Sequence, residues 1–226
     1  LSYQDKSNYL TFGLNLLKKI IKFSFDNTGF PRSRDIRQLN FYLKYFILIR
    51  EWLKESQSEI PEYINENIFY LGQAYAFTWK NNKRDILFNG NYETNNSEFD
   101  HYLKRLGYNF KNQNNELGGY AILYDKKITL IMDIGSSPDE KFSHNYQAGS
   151  LSFEIISNGK KLISNSGYFQ DFNNQLNKLS KSTATHSTLI LDDTSSCRFT
   201  KNSGSRSRVF QGLKTLKKNI IFEKNY

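Results

Sequence analysis

The chain has 226 residues, enough for one large domain or two modest ones around a buried core. Apolar residues make up only 38% of it, but 18 Phe and 15 Tyr supply large rings that each bury much area. A formal charge of +9 favours polyanionic partners, a single cysteine excludes a disulfide framework and any multi-cysteine zinc site, and no run approaches the ~18 apolar residues of a membrane span.

The first half reads as helices. Leu10, Leu14, Leu17 and Ile21 step by four, three and four, which lines one helical face. Asp26 to Ser33 is a loop, broken by Gly29 and Pro31. Ile36, Leu39, Leu43, Phe46, Ile47 and Leu53 make a second amphipathic helix. Pro61 opens a third, with Ile64, Ile68, Leu71 and Tyr75 on one side. Ser97 to Leu106 predicts a shorter fourth helix, closed by Gly107.

Beyond Gly107 the pattern becomes that of strands. Tyr120 to Tyr124 turns at Asp125-Lys126 into Ile128 to Ile134. Ser150 to Ile156 joins Lys160 to Ser164 through an Asn158-Gly159 turn. Ser187 to Leu191, Arg206 to Gly212 and Asn219 to Glu223 complete the expected strands. Helices first and strands after define an α+β chain in two parts, helical over 1–110 and antiparallel β over 111–226. The chain starts without Met and stops inside an apolar run, so it reads as a piece of a longer protein. Its lack of a leader then says nothing about compartment.

Three histidines carry the candidate chemistry. His101 falls on the polar side of the short helix and reads as solvated. His144 lies in a loop between strands, where functional residues concentrate. His186 begins the Ser187 strand, in a hydroxyl-rich stretch that also holds Cys197. No two histidines have metal-ligand spacing, and neither a metal nor a cofactor is expected. Cys197 has no thiol-hydrolase fingerprint around it and reads as a buried structural thiol. The glycines form neither a phosphate loop nor a dinucleotide fingerprint. Arg206, Arg208, Lys214, Lys217 and Lys218 are open between a polyanion site and a solvated strand face. With no recognition helix and no nucleic-acid-binding aromatic signature, nucleic acid is not the expected partner. Nothing in the chain reports an oligomeric state.

Ser182-Thr183-Ala184-Thr185-His186-Ser187-Thr188-Leu189, followed by Asp192-Asp193-Thr194-Ser195-Ser196-Cys197-Arg198-Phe199, closely resembles the heparinase II/III-like proteins, nearest to the branch common in alphaproteobacteria. Gly149-Ser150-Leu151-Ser152-Phe153-Glu154 looks like a strand motif of that family. Asn165-Ser166-Gly167 and Phe88-Asn89-Gly90 stand in the expected order. The resemblance runs from Asp26 to Phe199. It implies the C-terminal part of an α/α toroid followed by an antiparallel, β-sandwich-like sheet domain. The activity it implies is that of a polysaccharide lyase, acting on an acidic, uronate-containing polysaccharide such as a glycosaminoglycan, in the periplasm or cell envelope.

β-Elimination on a uronate requires that the carboxylate be neutralised, that a base take the C5 proton, and that an acid protonate the departing O4. The resemblance places His186 at a family histidine and Gln147 where a sheet-domain histidine usually stands. His144, three residues earlier, is the alternative proton carrier, because Gln donates a hydrogen bond but cannot shuttle a proton. Arg37 and Gln38 take the positions of a toroid Tyr-His pair. Arg32, Arg34, Arg37 and Arg198 are expected to bind carboxylate or sulfate. These departures keep a second class of function open: a non-catalytic acidic-glycan-binding or envelope-assembly protein on the same scaffold.

Overall fold

The structure is a computed structural model that describes residues 3–80, 83–94, 97–125, 127–200 and 207–221. Helices form where the apolar spacing puts them: α1 Tyr3–Ser24, α2 Ile36–Glu55, α3 Glu62–Tyr75 and α4 Ser97–Arg105. Asp35 caps α2, its Oδ1 accepting from the Gln38 amide at 2.9 Å and satisfying one donor that the first turn leaves open. All six apolar residues expected on the inner face of α2 are buried. The chain leaves α3 through a π-helical turn, Ala76–Lys80. Gly72 sits where an added Cβ would be 2.0 Å from the Phe110 ring, so the bare backbone is what lets that ring lie on α3.

Five strands form one antiparallel sheet in sequential order: β1 Glu116–Leu117, β2 Tyr120–Asp125, β3 Ile128–Asp133, β4 Phe153–Ser157 and β5 Lys160–Ile163. Alternation sorts their residues. Tyr120, Ile122, Ile131 and Ile156 face the helices and share one hydrophobic core with Phe30, Leu39, Phe46, Leu71 and Tyr75. Leu123, Leu130, Ile155 and Ile163 pair in one row across the sheet. A long loop between β3 and β4, residues 134–152, returns over the junction of helices and sheet. A short helix α5, Gln175–Ser180, is capped by Asn174.

Three strand expectations need correction. Ser187 to Leu191 forms no strand. Leu189 is 73% exposed, and the segment makes only an isolated bridge between Leu191 and Thr194, around Asp192 and Asp193 in the left-handed region. Its β-branched and apolar residues carry strand propensity, and Phe153 N of β4 donates to Ser187 O at 3.2 Å, but that bond is not continued into a ladder. His186 therefore follows a single 3-10 turn, Thr183–Thr185, and begins nothing. The strand expected over Arg206 to Gly212 shortens to β7 Val209–Gln211, paired with β6 Arg198–Phe199, and Arg206 lies outside the described residues. Residues 219–221 are irregular, while Phe222 and Glu223 lie outside the described residues.

Candidate functional site

The junction between helices and sheet is held by a buried charged network. Arg34 adopts φ 57° in the loop before α2 and sends its guanidinium under the sheet. Its Nη2 lies 2.6 Å from Asp133 Oδ1 and donates to Gly119 O at 2.9 Å; Nε and Nη1 donate to Gly118 O at 3.1 Å and Ser136 O at 3.0 Å. The guanidinium also stands 4.8 Å from the centre of the Tyr120 ring. Burial alone would lower the Arg34 pKa, but Asp133, with Tyr120 and Tyr146, more than offsets it, and the group stays charged. Arg34 was expected among the substrate-binding arginines. Four of its five donors are already spent inside the protein, so its role is to pin the helical part to the sheet.

Asn89 extends this network toward the β3–β4 loop. Its Nδ2 donates to Tyr120 Oη at 2.6 Å and Asp133 Oδ2 at 3.1 Å, and its Oδ1 accepts from the Gln147 amide at 3.3 Å. Burial raises the Tyr120 pKa, and its hydroxyl donates to Arg34 O. Gln147 is 1% exposed. Its Nε2 donates to Gly167 O at 3.0 Å and Ser180 O at 2.7 Å, while its Oε1 accepts from Gly90 N at 3.3 Å. Gln147 was placed among the catalytic candidates. Its side chain instead ties three backbone segments together, out of contact with solvent.

The loop that carries His144 is pinned from both sides. Asn145 Nδ2 donates to Asp35 Oδ2 at 2.8 Å, and buried Lys181 donates to the His144 carbonyl at 2.6 Å and to Ser207 O at 2.9 Å. Burial raises the Asp35 pKa, opposed by Asn145 and the α2 amides. His144 is half-buried, and the neighbouring Asn145 fastens its loop to the helix whose first turn bears Arg37. Asp35, Asn145 and Lys181 were not singled out by their types, and Asn89 entered only within the Phe88-Asn89-Gly90 motif. Asp35 carried a local signal, since an Asp three residues before Gln at a helix start reads as a cap.

His186 sits in a different setting. Burial lowers its pKa to about 4, opposed by a bond to the Ser180 backbone, so the ring is neutral near pH 7. Nε2 is buried without a partner among the described residues. A Cβ on Gly149 would lie 3.2 Å from the His186 ring. Nearby, Glu154 is fully buried, accepts from Asn165 N and Ser164 Oγ, and has its pKa raised by burial against the pull of Lys161, 3.8 Å away. The hydroxyl run around His186 is used for cross-linking. Thr183 Oγ1 and Ser196 Oγ both donate to Ala148 O, and Ser196 N donates back to Thr183 Oγ1. Cys197 packs beside Tyr146, Ala148 and Val209 with Sγ 3.2 Å from Ser137 Oγ.

The expected binding arginines do not converge. Arg37 is exposed on α2, stacked 4.7 Å over the Tyr92 ring, and lines a groove of about 460 Å³ between α2 and α4. Arg32 is held by Phe25 O at 2.7 Å and opens on a separate recess of about 570 Å³ beside Gly119 and Ser136. Arg198 is exposed on β6. Of the basic C-terminal positions, Lys218 pairs with Glu116, and the alternating strand face imagined for them is absent among the described residues. No group of three or more His, Cys, Asp and Glu side chains among the described residues is placed to hold a metal ion. None of the described helices is long and apolar enough to cross a membrane.

Residues 113–224, the part that carries His144, Gln147 and His186, match the family described as heparinase II/III-like, C-terminal. Over this part the chain is similar to the heparinase II/III-like family. Its fold is similar to that of the heparan sulfate lyase HepC from Pedobacter heparinus, with a TM-score of 0.66 at 16% identity over 88% of this chain and 36% of that one. It is similar also to the crystal structure of a heparinase III, with a TM-score of 0.65 at 15% identity over 90% of this chain and 39% of the other. The chain thus spans little more than a third of the length of these structures, and at such identities the likeness is one of fold. No curated protein matches the chain.

Proposed function

We propose that the protein acts on an acidic, uronate-containing polysaccharide as part of a β-eliminating lyase of the cell envelope or periplasm. The observation that carries this reading is the Asn145–Asp35 hydrogen bond, which fastens the His144 loop of the heparinase-type domain to the first turn of the helix bearing Arg37. A cation and a partly accessible imidazole are thereby carried by two joined segments. Arg37 supplies the charge that neutralises a uronate carboxylate, and His144 is the imidazole that would move the proton. His186, dry and neutral, supports the loop and does not reach the substrate. Arg34, Asp133, Asn89 and Gln147 hold the frame.

A specific observation favours a second reading. Gln147, where the resemblance expects a proton carrier, spends its amide on the backbone. A scaffold that binds the same polymer without cleaving it would need no such carrier. Incubation with a panel of uronate polymers, followed by the ultraviolet absorbance of the unsaturated product, separates the two. The lyase reading expects a rising absorbance that His144→Ala cuts by about 10²–10⁴-fold. Binding without any absorbance change on every polymer rejects it in favour of the binder.

A further inference from the structure

The groove between α2 and α4 has the composition of a site for a charged sugar. Arg37, Asn40, Phe41 and Lys44 lie at intervals of three, one and three residues, which brings all four onto one face of α2. Phe99 and Tyr102 of α4 face them, with ring centres 6.3 Å apart and ring planes 21° from parallel. Phe41 is 57% exposed, a large ring turned outward where burial would otherwise be expected. Two cations stand against one lining carboxylate among the described residues, Glu98. Asn40 Oδ1 is buried with no hydrogen-bond partner among the described residues, an acceptor that a sugar hydroxyl would satisfy. A volume of about 460 Å³ falls within the range of small-molecule sites.

We infer that this groove is a subsite that holds one carboxylated or sulfated sugar residue of the polymer, its anion between Arg37 and Lys44 and its ring against Phe41. The inference rests on the proposed function, because the polymer is the one that reading names, and it adds the place where a residue outside the reacting pair is gripped. Charge selects the class of ligand: guanidinium and ammonium favour an anionic group, and an aromatic wall favours the apolar face of a sugar ring over a free inorganic anion. Arg105, its guanidinium 5.7 Å from the Tyr102 ring, adds positive potential at the rim.

The test uses the whole chain and isothermal titration with a heparin-derived oligosaccharide, an unsulfated oligogalacturonate, neutral dextran and a single-stranded oligonucleotide. Lys44→Ala and Phe41→Ala are the informative variants, since both side chains are exposed and line the groove. Unchanged melting temperatures verify that they fold. Lys44→Ala is expected to weaken binding of an acidic oligosaccharide about tenfold, and Phe41→Ala about threefold. Wild-type binding that both variants retain in full overturns the groove and leaves the proposed function standing. Absence of wild-type binding to either acidic oligosaccharide overturns both. Equal loss of oligonucleotide and sugar binding in Lys44→Ala, with Phe41→Ala silent, overturns sugar recognition in favour of a general polyanion surface.

Discussion

Asp133→Asn is the most demanding test of the junction, because it removes one charge and almost no volume. Asp133 accepts three hydrogen bonds: from Arg34 Nη2 at 2.6 Å, from Asn89 Nδ2 at 3.1 Å and from Gly135 N at 3.1 Å. An asparagine has a single oxygen, so its amide nitrogen must face one of these donors, and a donor then meets a donor. Arg34 is meanwhile left charged and buried, with only carbonyl oxygens around it. Breaking one side of a buried pair costs about 3–5 kcal/mol, against a total stability on the order of 5–15 kcal/mol for a folded domain. Equilibrium urea unfolding at neutral pH, followed by far-ultraviolet circular dichroism, should show the midpoint falling by a large fraction of its value. A loss below about 1 kcal/mol, the range of an exposed pair, would refute the assignment of Arg34 and Asp133 as the pin between helices and sheet.

Gly135→Ala should destabilise by about 1–3 kcal/mol, since its Cβ would fall 2.7 Å from Arg34 Cζ and 2.9 Å from Gly119 Cα. Gly13→Ala, in α1 with nothing within 4 Å of the new atom, should stabilise by about 0.5–1 kcal/mol; urea midpoints moving in the same direction for both would contradict this. His186 sets a pH dependence whose sign follows from its lowered pKa. The unfolded imidazole takes its proton below pH 6.5 and the folded one only below about 4, so stability present above 6.5 is lost as pH falls toward 4, on the order of 3 kcal/mol. The raised pKa values of Glu154 and Asp35 act in the opposite sense but are shared with His186→Gln. The wild-type stability, measured relative to that variant, should therefore fall between pH 6.5 and 4. Parallel profiles would remove His186 from the dry setting assigned to it.

Much of the fold was legible because its signals are local. The six apolar positions of α2 repeat at helical spacing and all turn inward, and the alternation in β2 and β3 marks which residues meet the helices. The same logic overreached at Ser187 to Leu191, where an apolar run carried strand propensity but forms no ladder with its neighbours. The candidate site was less legible. Arg34 and Arg37 are three residues apart and of one type, yet one is buried under the sheet and the other lines an open groove. The bonds that separate them reach Asp133 and Tyr92, 99 and 55 residues away.

By itself, then, the sequence determined the order of helices and strands, the faces they bury, and the family motifs around His186. Those features depend on neighbours a few residues apart, where periodicity and residue type suffice. Only the tertiary structure decided which polar groups are free to meet a ligand. Gln147 and Arg34 look like ligand-binding side chains in one dimension, and folding commits them to backbone carbonyls brought in from distant segments. Arg37 and His144 were already candidates by resemblance; what folding added is the hydrogen bond between Asn145 and Asp35, across 110 positions of chain, that joins their segments.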